Sequence, residues 1–105
     1  MIPLSPKTAQ ALEKVFPDLE TRQLVADILV NECGEDVPFH QDASPEEMER
    51  VRFSVLKLSA GDLDKFDEAV KLANLDWRDL FVAAGFGYDT EGHEKWYQEM
   101  IEGRH

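Results

Sequence analysis

The chain predicts an all-α fold, a compact single-domain bundle of about six short helices, and three observations carry that reading. Apolar residues recur at helical spacing in successive segments, and no segment alternates apolar and polar positions as a half-buried strand would. Each segment opens on a Ser, Thr or Asp, twice followed by Pro, and several close on Gly. The connectors are short, and 105 residues with 43% hydrophobic composition suffice for one core and not two. Residues 1–105 therefore read as one helical domain, with flexible ends at about 1–4 and 103–105 and an acidic loop at about 34–44.

Ser5-Pro6 opens the first helix, 6–16, because the serine oxygen accepts a free amide while proline at the first position loses no hydrogen bond. Pro17-Asp18 restarts the chain. From 19 to 33 the apolar residues Leu19, Leu24, Val25, Ala26, Ile28, Leu29, Val30 and Cys33 cover about two thirds of a helical wheel, which marks this helix as the central one. Gly34 stops it. Residues 35–43 follow neither period and contain Pro38, so they form a loop. Ser44-Pro45-Glu46-Glu47 combines a cap, a first-position proline and a capping-box glutamate, and opens a helix over 45–59 that stops near Gly61. Asp62 caps a helix over 63–74 with the stripe Leu63, Phe66, Ala69, Val70 and Ala73. Asp76 caps a shorter one, 77–84, ended by Gly85 and Gly87. Asp89 or Thr90 opens the last, which runs to about Glu102 and carries Trp96, Tyr97, Met100 and Ile101 on one side.

Charge narrows the function. With 22 acids against 11 Lys and Arg the net charge is −11, unlike a nucleic-acid binder, whose affinity comes from cations at phosphates, and unlike a protein that seeks anionic membranes. The acids are concentrated: Asp27, Glu32, Glu35, Asp36, Asp42, Glu46, Glu47 and Glu49 fall between Gln23 and Glu49, where there is no Lys or Arg. Such a field speeds encounter with a basic partner. Helices 63–74 and 77–84 would make a poor DNA-reading pair, since the second leads with Asp76, Arg78 and Asp79. No apolar run approaches the roughly 20 residues of a membrane span. The amino terminus has no basic stretch followed by an apolar core, and the single cysteine fits a reducing compartment, so a cytoplasmic location is expected.

Chemistry finds little purchase. The candidate metal ligands Cys33, Asp36, His40, Asp42, His93 and His105 contain no close-spaced pair of the zinc type and no calcium-loop spacing, so no metal site and no cofactor is expected. Cys33 lies on the apolar arc of its helix, where a buried thiol is inert, and no catalytic residue is assigned. Gly85-Phe86-Gly87 follows a helix and lacks the lysine of a phosphate loop.

The aromatic segment is more informative. Trp77 and Phe81 share a helix face, and His93 and Trp96 share another, so these four are the candidate lining of a small-ligand pocket. In the 45–59 helix Met48, Val51, Val55 and Leu58 make an inward stripe while Phe53 and Leu56 project from another side. Either this helix is sandwiched between layers, or Phe53 and Leu56 form an exposed patch that wants a partner.

The first functional reading is a small acidic, non-catalytic protein–protein interaction module. Its 32–49 segment docks a basic protein, with Glu35, Asp36, Asp42, Glu46 and Glu47 as charged contacts and Phe39, Phe53 and Leu56 as apolar anchors. In size and charge alone, with no shared motif, the chain is like small acidic helical proteins that neutralise basic toxins, such as nuclease immunity proteins. The alternatives are a ligand-binding protein or enzyme with a pocket beside Trp77, Phe81, Trp96 and His93, and a homodimer through the 45–59 and 77–84 helices in which the acidic segment only solubilises.

Overall fold

The computed structural model describes residues 4–33, 45–87 and 92–102, the backbone alone at 45–47. Six helices account for nearly all of them: α1 (Pro6–Val15), α2 (Leu19–Glu32), α3 (Pro45–Ser59), α4 (Leu63–Leu75), α5 (Trp77–Ala84) and α6 (Gly92–Ile101). The expected starts at Ser44 and at Asp89 or Thr90, the stop at Gly34 and the whole 34–44 loop lie outside the described residues. Leu4, placed by the sequence in a flexible end, packs against the core.

The capping chemistry that marked the helix ends operates in the structure. Ser5 Oγ accepts the Thr8 amide at 3.1 Å, Asp18 Oδ2 the Thr21 amide at 3.0 Å, and Asp62 Oδ1 the Asp64 amide at 2.8 Å. Asp76 serves two helices. Its own N–H ends α4 on the Leu72 carbonyl at 2.7 Å, and its Oδ1 starts α5 by accepting the Arg78 and Asp79 amides at 3.0 and 3.3 Å. Gly85, at φ 83°, closes α5. There the Gly85 amide bonds to the Val82 carbonyl and the Phe86 amide to the Phe81 carbonyl, the paired pattern of a left-handed glycine cap.

The sequence placed α2 at the centre, and the structure places α3 there. α3 packs on α1, α4, α5 and α6, whereas α2 touches α1 and α4 from outside. Every side chain from Val51 to Leu56 is buried, and Phe53 and Leu56 are fully so. The 45–59 helix is therefore the sandwiched one, and neither Phe53 nor Leu56 is exposed to a partner. α2 buries Val25 and Leu29, with Cys33 at its end, packs Ala26 and Ile28 partly against the core, and leaves Leu19 and Leu24 facing solvent.

What permits a helix with two arginines and a lysine to be so enclosed is where those cations go. Arg52, 2% exposed, gives its Nε–H to the carbonyl of Cys33 at the end of α2, at 3.2 Å. Lys57 Nζ reaches the Ala84 carbonyl at the end of α5 at 2.6 Å, and Arg50 bonds to the carbonyl of Phe86. Arg50 also lies over the Phe81 ring at 4.2 Å, and Lys57 over the Phe86 ring at 4.9 Å. Carbonyls at a helix C-terminus lack intrahelical donors and carry partial negative charge, so they suit cations.

The turn from α3 to α4 sets Ala60 and Gly61 in succession at φ 49° and 82°. A left-handed alanine costs about 1–2 kcal/mol, partly offset by the stiffer unfolded chain relative to glycine. Ala60→Gly is expected to stabilise the protein by roughly 0.5 kcal/mol. Gly61→Ala, whose new Cβ would sit 3.2 Å from the Val15 carbonyl oxygen, is expected to cost about 1–2 kcal/mol. Urea unfolding of both variants checks the opposite signs.

Candidate functional site

Two regions combine chemistry-bearing side chains with a surface. The first is the outer side of α2. Successive residues turn by about 100°, so Glu20, Leu24, Asp27 and Asn31 share one face opposite Val25, Leu29 and Cys33; all four are exposed, Leu24 to 52%. The sole base of α2, Arg22, turns toward Glu13 of α1, with 4.0 Å between charged atoms. The helix is held at its C-terminal end, where Asn74 Nδ2 of α4 bonds to the Glu32 carbonyl at 2.9 Å beside the Arg52 bond to Cys33. It then leads into the acidic 32–49 segment, of which Glu35, Asp36, Phe39 and Asp42, with the side chains of Glu46 and Glu47, lie outside the described residues.

The second region is where the amino-terminal turns of α1, α3 and α6 meet. Ser5, the cap of α1, gives its hydroxyl to Glu49 Oε2 of α3 at 2.7 Å. Lys7 of α1 bonds to both oxygens of Glu94 of α6 at 2.9 Å and lies over the Tyr97 ring. Tyr97 in turn gives its hydroxyl to Gln10. The Lys7 hydrogen bond is the main cause that holds the Glu94 carboxyl below its usual range, and the same bond raises Lys7. Next to Glu94, His93 is 1% exposed, with its ring 5.8 Å from Phe53 and 6.4 Å from Phe86. Among the described residues Glu49, His93 and Glu94 form one group whose ligand-type atoms lie within 4.8 Å of one another.

The four aromatic pocket candidates separate. Trp77 pairs edge-on with Phe81 at 5.6 Å, whereas Trp96 packs on Phe53 at 5.4 Å and on Phe86 at 6.4 Å. Trp96 forms a wall shared with Lys57 between two open grooves of about 390 Å³ each, one bounded by Phe86, Lys95 and Glu99, the other by Lys14, Leu56 and Met100. Trp77 and Phe81 line neither groove, and His93 is sealed beneath. Neither of these grooves, drawn among the described residues, is lined by all four. A dimer through the 45–59 helix meets the same obstacle as the Phe53 and Leu56 anchors, since that helix is enclosed; on 77–84, Val82 is exposed.

Cys33 is buried as expected, and burial pushes its thiol up to about 12. Residue type alone had put His93 among six possible ligands, with spacing against any site, and Glu49 and Glu94 were missed because Glu49 meets His93 only through the fold.

No family model, curated protein or solved structure matches the chain.

The thiol makes a direct test of burial. In the unfolded chain it ionises near 9.0, so between about 9 and 12 the unfolded state binds fewer protons and stability falls as pH rises. Urea midpoints from pH 8.5 to 10.5 are expected to fall with a slope reduced in Cys33→Ala, the difference approaching about 1.4 kcal/mol per pH unit at its steepest. At pH 8 a thiol reagent should label Cys33 only in denaturant.

Proposed function

We propose that the protein is a non-catalytic interaction module that docks a basic protein through the outer face of α2 and the acidic segment that follows it. The observation that carries this reading is the state of α2. Most of its apolar arc packs on the core, with Val25, Leu29 and Cys33 buried and Ala26 and Ile28 partly so, and its outward, otherwise polar side sets the exposed Leu24 between Glu20 and Asp27. A partner with cations beside an apolar side chain would pair with those acids and cover the leucine between them. Phe39 remains the apolar anchor candidate within the acidic segment, while Phe53 and Leu56 belong to the core. An immunity-like inhibitor of a basic protein is one form of this activity. A second reading, small-ligand binding, narrows to the grooves beside Trp96, whose lysines Lys14, Lys57 and Lys95 favour an anion.

The test is capture of partners on the immobilised chain at low salt, elution by a salt gradient, and direct titration of the protein recovered. A basic protein is expected, bound at least tenfold more weakly when Glu35, Asp36, Glu46 and Glu47 are all reversed to lysine, and weakened several-fold by Leu24→Ser. Binding indifferent to salt and to both sets of changes would overturn the reading.

A further inference from the structure

We propose that Glu49, His93 and Glu94 form a binding site for a divalent transition-metal ion of the zinc class, for which Lys7 is a built-in competitor. The site uses no residue of α2 and lies where α3 and α6 begin, sharing only Glu49 with the end of the acidic segment. Its donors come from two helices, with Glu49 44 residues before His93 in sequence.

Neighbouring contacts position the three donors, and Glu49 and Glu94 are close enough to share a side-chain hydrogen bond. The His93 ring is fixed between Phe53 and Phe86, with a nitrogen within 4.8 Å of an oxygen from each glutamate. The Glu49 carboxylate takes its Ser5 hydrogen bond on Oε2. Around a tetrahedral zinc ion, with bonds of about 2.0–2.2 Å, neighbouring donors lie about 3.4 Å apart. The observed spacing thus closes with shifts of about 1 Å or less per side chain, within the reach of two partly exposed glutamates on fixed helices. Three protein donors leave the fourth position to water, as in open zinc sites.

Charge and donor type select the ion. Two carboxylates against the single ammonium of Lys7 leave net negative charge at a partly buried position, where a dication is attracted more strongly than in water. One imidazole nitrogen in three donors favours zinc, cobalt or nickel over magnesium or calcium, which take oxygen alone. Lys7 holds both oxygens of Glu94, so an ion that takes Glu94 must loosen that pair. This sets the site apart from a purely structural ion network, because removing the lysine should strengthen metal binding while it weakens the network.

The experiment is titration of the full chain with Zn²⁺ by calorimetry and with Co²⁺ by visible absorption, Mg²⁺ serving as the control. Wild type is expected to bind one Zn²⁺ or Co²⁺ and to bind Mg²⁺ at least tenfold more weakly. Glu49→Gln, which retains an oxygen for Ser5, should lose at least tenfold in affinity, and Lys7→Met should gain at least threefold. The proposal is overturned if wild type binds no Zn²⁺ at millimolar concentration or if Mg²⁺ binds equally well. It is likewise overturned if Glu49→Gln binds like wild type, which would place the ion on other histidines, or if Lys7→Met binds no tighter.

Discussion

The arrangement depends on enclosing a charged helix. α3 has neighbours on four sides, yet carries Arg52 buried, Arg50 partly buried and Lys57 at its exposed edge, and a desolvated cation without compensation is among the most costly things a core can hold. The compensation comes from backbone: the carbonyls of Cys33, Ala84 and Phe86, at the ends of α2 and α5. Both sides gain, since those carbonyls have lost their helical donors and the cations meet the negative ends of two helix dipoles. The bonds also locate the two helices, because α2 and α5 must each end where a side chain of α3 can reach. Burial of Arg52 lowers its pKa, but from a value so high that the guanidinium stays charged at any ordinary pH.

That solution explains what could be read in the sequence and what could not. Helix starts and stops were legible because they are local: Ser5, Asp18, Asp62 and Asp76 bond to amides two or three residues on, and Gly85 adopts a backbone shape that other residues resist. The depth of each helix was not local. α2 has the more apolar sequence and lies outside; α3 has the more charged sequence and lies inside. Apolar content measures what a helix gains by burial, whereas the cost of burying Arg50 and Arg52 is set by carbonyls 19 to 36 residues away in sequence, which no periodicity reveals. The face of α3 bearing Phe53 and Leu56 was visible as a second apolar side, and only the fold could show that Phe53 meets Trp96 and Tyr97 of α6.

The polar junction of α1, α3 and α6 was hidden for the same reason. Lys7 and Glu94 are 87 residues apart and Ser5 and Glu49 are 44 apart, so each looks like an ordinary surface residue at a helix beginning. Three helix amino termini converge there, and carboxylates are the natural side chains for such a place. Two of them drawn close beside a buried imidazole then create a concentration of negative charge that a single lysine offsets only in part.

Cation placement also bears on the surface. Arg50 and Arg52 turn inward to carbonyls, while Asp18, Glu20, Asp27, Glu32, Asp62, Asp64, Asp67, Glu68, Asp76 and Asp79 stand at exposed positions on α2, α4, α5 and their caps. An acidic surface of this kind repels itself, and the repulsion grows as salt is removed. α2 feels it directly, since Arg52 and Asn74 bond to the carbonyls at its C-terminal end, Arg22 pairs only at 4.0 Å with Glu13 near its start, and its outward face pairs acids with Leu24. A cationic partner seated there would relieve the repulsion and cover the leucine in one step. The enclosure of α3 and the exposure of α2 are thus two sides of one arrangement: inward cations let the charged helix fill the core, and the apolar helix is left at the surface.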